Sequence, residues 1–133
     1  MCSQASSSIV SARSADDALR AYCEHFAARR ADELIALFSA HALVEIPLLE
    51  HHVRGTEVAP TLERIVAGLN ACEVRLHHVA GAGDTAVGEG HLSAQTENGP
   101  LVFDFGIVVQ VDDSGQIVRL SEYFDTDPIK PLD

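Results

Sequence analysis

Basic side chains are scarce in this sequence. Nine Lys and Arg stand against twenty Asp and Glu, a net charge of −11 over 133 residues. Nucleic acids and anionic membranes are held by clustered Lys and Arg, so neither is expected as a partner. Cysteines are few and odd in number: Cys2, Cys23 and Cys72, with no Cys-x-x-Cys spacing. That pattern predicts reduced thiols in a cytoplasmic protein, with Cys23 and Cys72 acting as small buried apolar residues. Neither of those two has an electropositive neighbourhood, which disfavours a thiol nucleophile. No apolar run approaches the roughly 20 residues of a membrane span. Residues 1–14, rich in Ser and Ala, lack the apolar stretch of a signal peptide and read as a frayed tail. Also missing are G-x-S-x-G, a Gly-rich phosphate loop and a dinucleotide fingerprint, so no cofactor is expected. No metal is expected either. His51-His52 are adjacent and without a clear third ligand, and His77-His78 would fall on opposite faces of a strand.

What is present fits one domain with one core, at 47% apolar and 22% charged residues. The domain is expected over 15–127, with a C-terminal tail over 128–133. Ser14-Ala15-Asp16-Asp17 has the form of a helix start, Ser14 as N-cap and two acids in the first turn. Leu19, Tyr22, Cys23, Phe26 and Ala27 then mark one apolar face. A second helix is predicted from Ala31-Asp32, with Leu34, Ile35, Leu37 and Phe38 inward. Leu43 to Ile46 reads as a short strand stopped by Pro47, followed by a loop from Leu48 to Arg54. Gly55-Thr56-Glu57 opens a third helix carrying Val58, Leu62, Ile65, Val66 and Leu69, with Pro60 tolerated in its first turn.

Strands follow. They are predicted at Glu73–Val79, Thr85–Thr96, Leu101–Val111 and Gln116–Phe124. The turns between them are Gly81-Ala82-Gly83-Asp84, Glu97-Asn98-Gly99-Pro100 and Asp112-Asp113-Ser114-Gly115. Helices first and antiparallel hairpins afterwards predict an α+β fold.

Side chains two apart on a strand share a face. Phe103, Phe105, Ile107 and Val109 therefore mark an inner face, and Leu120 with Phe124 marks another that carries Glu122. A carboxylate buried there is costly, and such a cost points to function. The other reading turns Glu122 outward, paired with Arg119 or with a second copy of the chain. On the Thr85–Thr96 strand, Glu89, His91, Ser93 and Gln95 share one face and Leu92 with Ala94 the other. Asp104 lies off the apolar face of its strand.

Three strings carry a family resemblance: Leu37 through Pro47, then Val53-Arg54-Gly55, then Gly115 through Asp125. They resemble the ketosteroid isomerase and SnoaL-like superfamily, the nuclear transport factor 2-like fold. The resemblance implies a cone-shaped, curved antiparallel (mixed) sheet with three N-terminal helices on its concave face. It also implies an apolar pocket and a homodimer through the outer sheet face. Ketosteroid isomerases carry their shuttling Asp just before the Pro of the first strand, where this chain has Ile46, and their second Asp near Ile107. Only their helix-1 tyrosine has a counterpart, Tyr22. The last strand resembles limonene epoxide hydrolases, with Glu122 at the position of an Asp. Their Arg-x-Asp pair is replaced by Glu89-x-His91.

The resemblance favours a pocket facing His91, Ser93 and Gln95. It leads to an expected catalytic set of Glu122, His91 and Tyr22: an acid–base pair with a phenolic donor. Phe26, Ile46, Glu89, Ser93, Gln95, Phe103, Phe105, Ile107, Leu120 and Phe124 are the expected lining. The expected partner is a small apolar molecule. The function this implies is cofactor-independent isomerisation, cyclisation, dehydration or hydrolysis, with a non-catalytic binding or scaffold domain of the same fold as the alternative.

Overall fold

The computed structural model describes residues 13–46 and 52–124. Helix α1 spans Ala15–Ala27, and Ser14 caps it by accepting the Asp17 N–H at 3.3 Å. Asp16 and Asp17 sit in its first turn, where the helix dipole favours them. Helix α2 covers only Ala31–Ile35. Phe38, expected on that helix, instead begins strand β1, Phe38–Glu45, because the backbone there pairs with the last strand. Val53–Arg54 forms the two-residue strand β2 inside the predicted loop. A 3-10 turn at Gly55–Glu57 leads into helix α3, Val58–Ala67. Leu69, expected on that helix, begins strand β3, Leu69–Ala82, which is longer than the sequence suggested. Strands β4 (Thr85–Thr96), β5 (Gly99–Val111) and β6 (Ile117–Phe124) complete the set.

Among the described residues the six strands form one sheet in the order β2-β1-β6-β5-β4-β3. Only β1 with β6 is parallel, and the remaining pairs are antiparallel. The sheet is mixed, curved and unclosed, and with three α-helices it gives the expected α+β architecture. Its curvature accompanies register shifts in β1 (Phe38/Leu43) and β3 (Leu69/Ala71 and Leu76/His78). The core lies between helices and inner face. Leu19, Leu34, Leu62, Ile107, Ile117, Leu120, Val44 and Val109 are fully buried there.

Two glycines of β4 leave room that a side chain would fill. A Cβ on Gly88 would lie 3.2 Å from a Leu19 methyl, so its absence lets α1 settle on the sheet. At Gly90 a Cβ would stand 2.5 Å from the Arg75 carbonyl oxygen and 2.8 Å from the Phe105 ring. Gly90→Ala is therefore expected to lower stability by about 2 kcal/mol, the scale of overpacking a tight interior, read as a lower denaturant midpoint.

Candidate active site

Strand pairing turns Glu122 inward. It lies opposite Ile107, between Leu120 opposite Val109 and Phe124 opposite Phe105. Those β5 partners are all buried, so the same face of β6 must also point to the core. Helix α1 lies over the inner face and presents Tyr22 and Cys23 one turn beyond Leu19, and Phe26 a turn further on. The Tyr22 phenol donates a hydrogen bond to Glu122 Oε2 at 2.8 Å, across 100 residues of sequence.

Around this pair is a cavity of about 250 Å³. Its wall is apolar: Phe26 from α1, Ile46, Ile65 from α3, Leu69 and Val74 from β3, Leu92 from β4, Leu101, Phe103 and Phe105 from β5, and Phe124 from β6. Among the described residues, Tyr22, Cys23 and Glu122 are the polar members of the lining. Phe103 and Phe124 stack with ring centroids 4.1 Å apart.

The electrostatics follow from that wall. Burial among apolar side chains pushes the Glu122 carboxyl up to about 7, and outweighs the Tyr22 hydrogen bond, which acts to lower it. By surface area Glu122 is only partly buried. Its accessible part borders the cavity, whose other described walls are mostly apolar. Tyr22 is raised well above the usual tyrosine range, first by burial and then by the Glu122 charge. Burial, aided by Glu122 and Cys72, pushes the Cys23 thiol up to about 12. Near neutral pH, then, Glu122 is the lining group that changes charge. Tyr22→Phe removes a bond that favours the carboxylate, so the Glu122 midpoint is expected to move further alkaline. A titration followed by carboxyl NMR reads that shift.

The expected set is brought together only in part. Glu122 and Tyr22 meet in the cavity. His91 does not join them: its Nδ1 lies 2.8 Å from Asp104 Oδ1 on the outer face of the sheet. Glu89, Ser93 and Gln95 share that outer face, because β4 buries Ala86, Gly88, Gly90, Leu92 and Ala94. The physical reason is that the inner face of β4 is mostly glycine and alanine, which must be small for α1 and Phe105 to approach. Phe26, Ile46, Phe103, Phe105 and Phe124 border the cavity. Ile107 and Leu120 are on the correct face but sit in packed core, 1% and 0% exposed, away from the space.

Sequence reasoning missed Ile65, Leu69, Val74, Leu92 and Leu101 as lining. Leu101 shares parity with Phe103 and Phe105, a signal that was present in the sequence. Cys23, expected to be buried, forms part of the wall.

Arg119, the candidate outward partner of Glu122, is engaged elsewhere. Its Nε lies 3.4 Å from Glu45 Oε1, which also accepts the Ser121 hydroxyl at 2.6 Å. Those bonds, Ser121 first, hold the Glu45 carboxyl below its usual range. His52 Nδ1 stands 3.4 Å from Glu45 Oε2, while His51 lies outside the described residues. His77 and His78, expected on opposite faces, border one shallow outer depression with Glu89, Asp104 and Tyr123, because the bulge at Leu76/His78 changes the alternation. No three His, Cys, Asp or Glu among the described residues are placed to hold a metal ion. No helix among them is long and apolar enough to cross a membrane.

The sequence model of the SnoaL-like domain matches residues 19–120. The chain belongs to the SnoaL-like family. No curated protein matches it. Among solved structures, this SnoaL-like chain is similar to an LEH-like epoxide hydrolase of M. tuberculosis. That match has a TM-score of 0.73 at 23% identity, over 84% of this chain and 83% of the other. A putative SnoaL-like polyketide cyclase from Shewanella denitrificans gives 0.75 at 10% identity, over 84% and 90%. A hypothetical protein of ketosteroid isomerase-like fold from Catenulispora acidiphila, in complex with trimethylamine, gives 0.72 at 15%, over 82% and 85%. At these identities the likeness is one of fold. The fold includes cyclases, isomerases and epoxide hydrolases, so the site has to argue the chemistry.

Proposed function

We propose that this SnoaL-like protein is a cofactor-independent proton-transfer enzyme acting on a small, largely apolar molecule, with Glu122 as the catalytic base. The observation that carries this reading is one carboxyl, poised near neutral pH, in an apolar cavity and anchored on one oxygen by Tyr22. A base whose pKa lies near the working pH combines the reactive form with adequate basicity. The Glu122 carboxylate would take a proton from carbon beside an electron-withdrawing group, hold it, and return it to another carbon. That cycle needs one titrating group. Hydrolysis would also need an oriented water and a separate acid, and His91, the expected acid–base partner of Glu122, lies on the other face of the sheet. Isomerisation is therefore favoured over hydrolysis.

The same isolation of Glu122 supports a second reading, a binding protein that uses the cavity without turnover. Assaying a panel of small unsaturated ketones and related neutral molecules for isomerisation, with wild type beside Glu122→Gln, separates the two. The enzyme reading expects turnover that depends on Glu122. Turnover that survives the substitution contradicts it.

A homodimer through the outer sheet face is part of the proposal. Val87, Val102 and Tyr123 are 48%, 44% and 55% exposed on strands β4, β5 and β6, which supports a covered face. The free thiols of Cys23 and Cys72 are compatible with the cytoplasm as the working compartment.

A further inference from the structure

The cavity is selective in what it offers a ligand. Five of the seven Phe and Tyr residues of the chain line it: Tyr22, Phe26, Phe103, Phe105 and Phe124. Among the described residues, no Lys, Arg or His lines it. The Tyr22 hydroxyl proton is already committed to Glu122 Oε2. Among the described residues no buried side-chain oxygen or nitrogen lacks a partner, and Glu122 makes only the Tyr22 bond. Its Oε1 therefore keeps accessible surface, and that surface faces the cavity.

We infer that this cavity is a binding site for a small lipophilic amine, held as its ammonium ion with an N–H donating to Glu122 Oε1. An ammonium ion suits an acceptor without a partner, a carboxylate charge and surrounding aromatic rings, whose faces attract cations. A carboxylate or phosphate ligand finds no cationic side chain among the described lining residues and meets a like charge. A ketone or ether brings no N–H or O–H for Oε1, so only the apolar wall holds it and the carboxylate adds nothing to its affinity. Desolvating the ammonium ion is costly, and the ion pair together with the buried apolar body of the ligand offsets that cost. The net charge of −11 raises the local concentration of cations near the protein. Size sets the upper limit. An apolar cavity of about 150 Å³ takes benzene, so about 250 Å³ admits roughly ten non-hydrogen atoms.

The inference goes beyond the proposed turnover and does not need it. An amine at Oε1 would occupy the base and inhibit. In proton balance, the amine arrives already protonated, and Glu122 releases to solvent whatever proton it held. The other titratable groups near it, Tyr22 and Cys23 from α1 and Cys72 from β3, stay protonated through the neutral range.

The test compares N,N-dimethylbenzylamine with isobutylbenzene, which has the same shape without charge, by amide-shift titration of the intact protein. With Glu122 titrating at about 7, amine affinity is expected to rise roughly 30-fold between about pH 5.5 and about pH 8.5. The hydrocarbon is expected to hold level or weaken over the same range. Glu122→Gln should keep the hydrocarbon and lose both the amine preference and its pH dependence. Equal affinities at every pH, amine affinity falling with pH, binding of neither probe, or an amine preference that survives in the Gln variant would each overturn the inference. If that variant does not fold, the wild-type comparison still decides. Turnover is scored on neutral substrates, so the failure of one reading is distinguishable from failure of the other.

Discussion

Replacing Glu122 by glutamine is expected to stabilise the protein by about 3 kcal/mol at about pH 8.5 and to change little at about pH 4. In the unfolded chain the carboxyl titrates at its ordinary 4.5, and in the fold at about 7. Below 4.5 both states are protonated and Glu122 costs nothing. Between 4.5 and 7 the unfolded chain loses the proton while the folded chain keeps it, so the native state binds more protons and stability falls as pH rises. Above 7 the whole penalty of an ionised carboxylate in an apolar wall is present. Glutamine keeps the shape and an oxygen for Tyr22 but never ionises, so it avoids that penalty. Water that reaches the cavity reduces the figure. Urea midpoints of the two proteins across pH should coincide in acid and diverge as pH rises.

The second large effect is on rate. On any substrate isomerised by the wild type, Glu122→Gln is expected to lower kcat by about 10²- to 10⁴-fold, the usual worth of a positioned proton-transfer group. That corresponds to about 3–5 kcal/mol of barrier. KM should move little, because the apolar wall that holds the substrate is intact and the two side chains have the same shape. Wild-type kcat/KM should rise with pH through about 7 as the free carboxylate forms. Any residual rate of the variant should be flat there. A profile that falls through the same midpoint would assign Glu122 as an acid and contradict its role as base.

The apolar face of β5 is legible in the sequence because Phe103, Phe105, Ile107 and Val109 alternate without exception. Glu122 is legible through Leu120 and Phe124, its neighbours of equal parity. Strand β4 is not, for a physical reason: its inner positions hold Gly88 and Gly90, which give no apolar signal, while Val87 on the outer face is exposed. The apolar residues of β4 are split between Val87 on one face and Leu92 with Ala94 on the other, so alternation decides nothing. The face favoured by the family resemblance, that of His91, is the one turned outward. The partner Glu122 has in the fold, Tyr22, stands out on α1 for its helical spacing and its family position. Nothing local in sequence could say that residues 100 apart would meet. The register of β1 is hidden in the same way. Leu37 and Phe38 continue a helical apolar pattern, yet Phe38 pairs with Ile117, and the Ile117 N–H donates to the Leu37 carbonyl at 2.8 Å.

The proposed proton transfer, the pH-dependent stability and the pH dependence of amine binding all rest on one property, a Glu122 carboxyl that exchanges its proton near neutral pH. Carboxyl-carbon NMR of the wild type, with Glu122→Gln identifying the resonance, measures that property directly. A titration midpoint near 7 is the predicted result. A midpoint at the ordinary 4.5 would mean that Glu122 is solvated and charged throughout the neutral range, and would contradict the account.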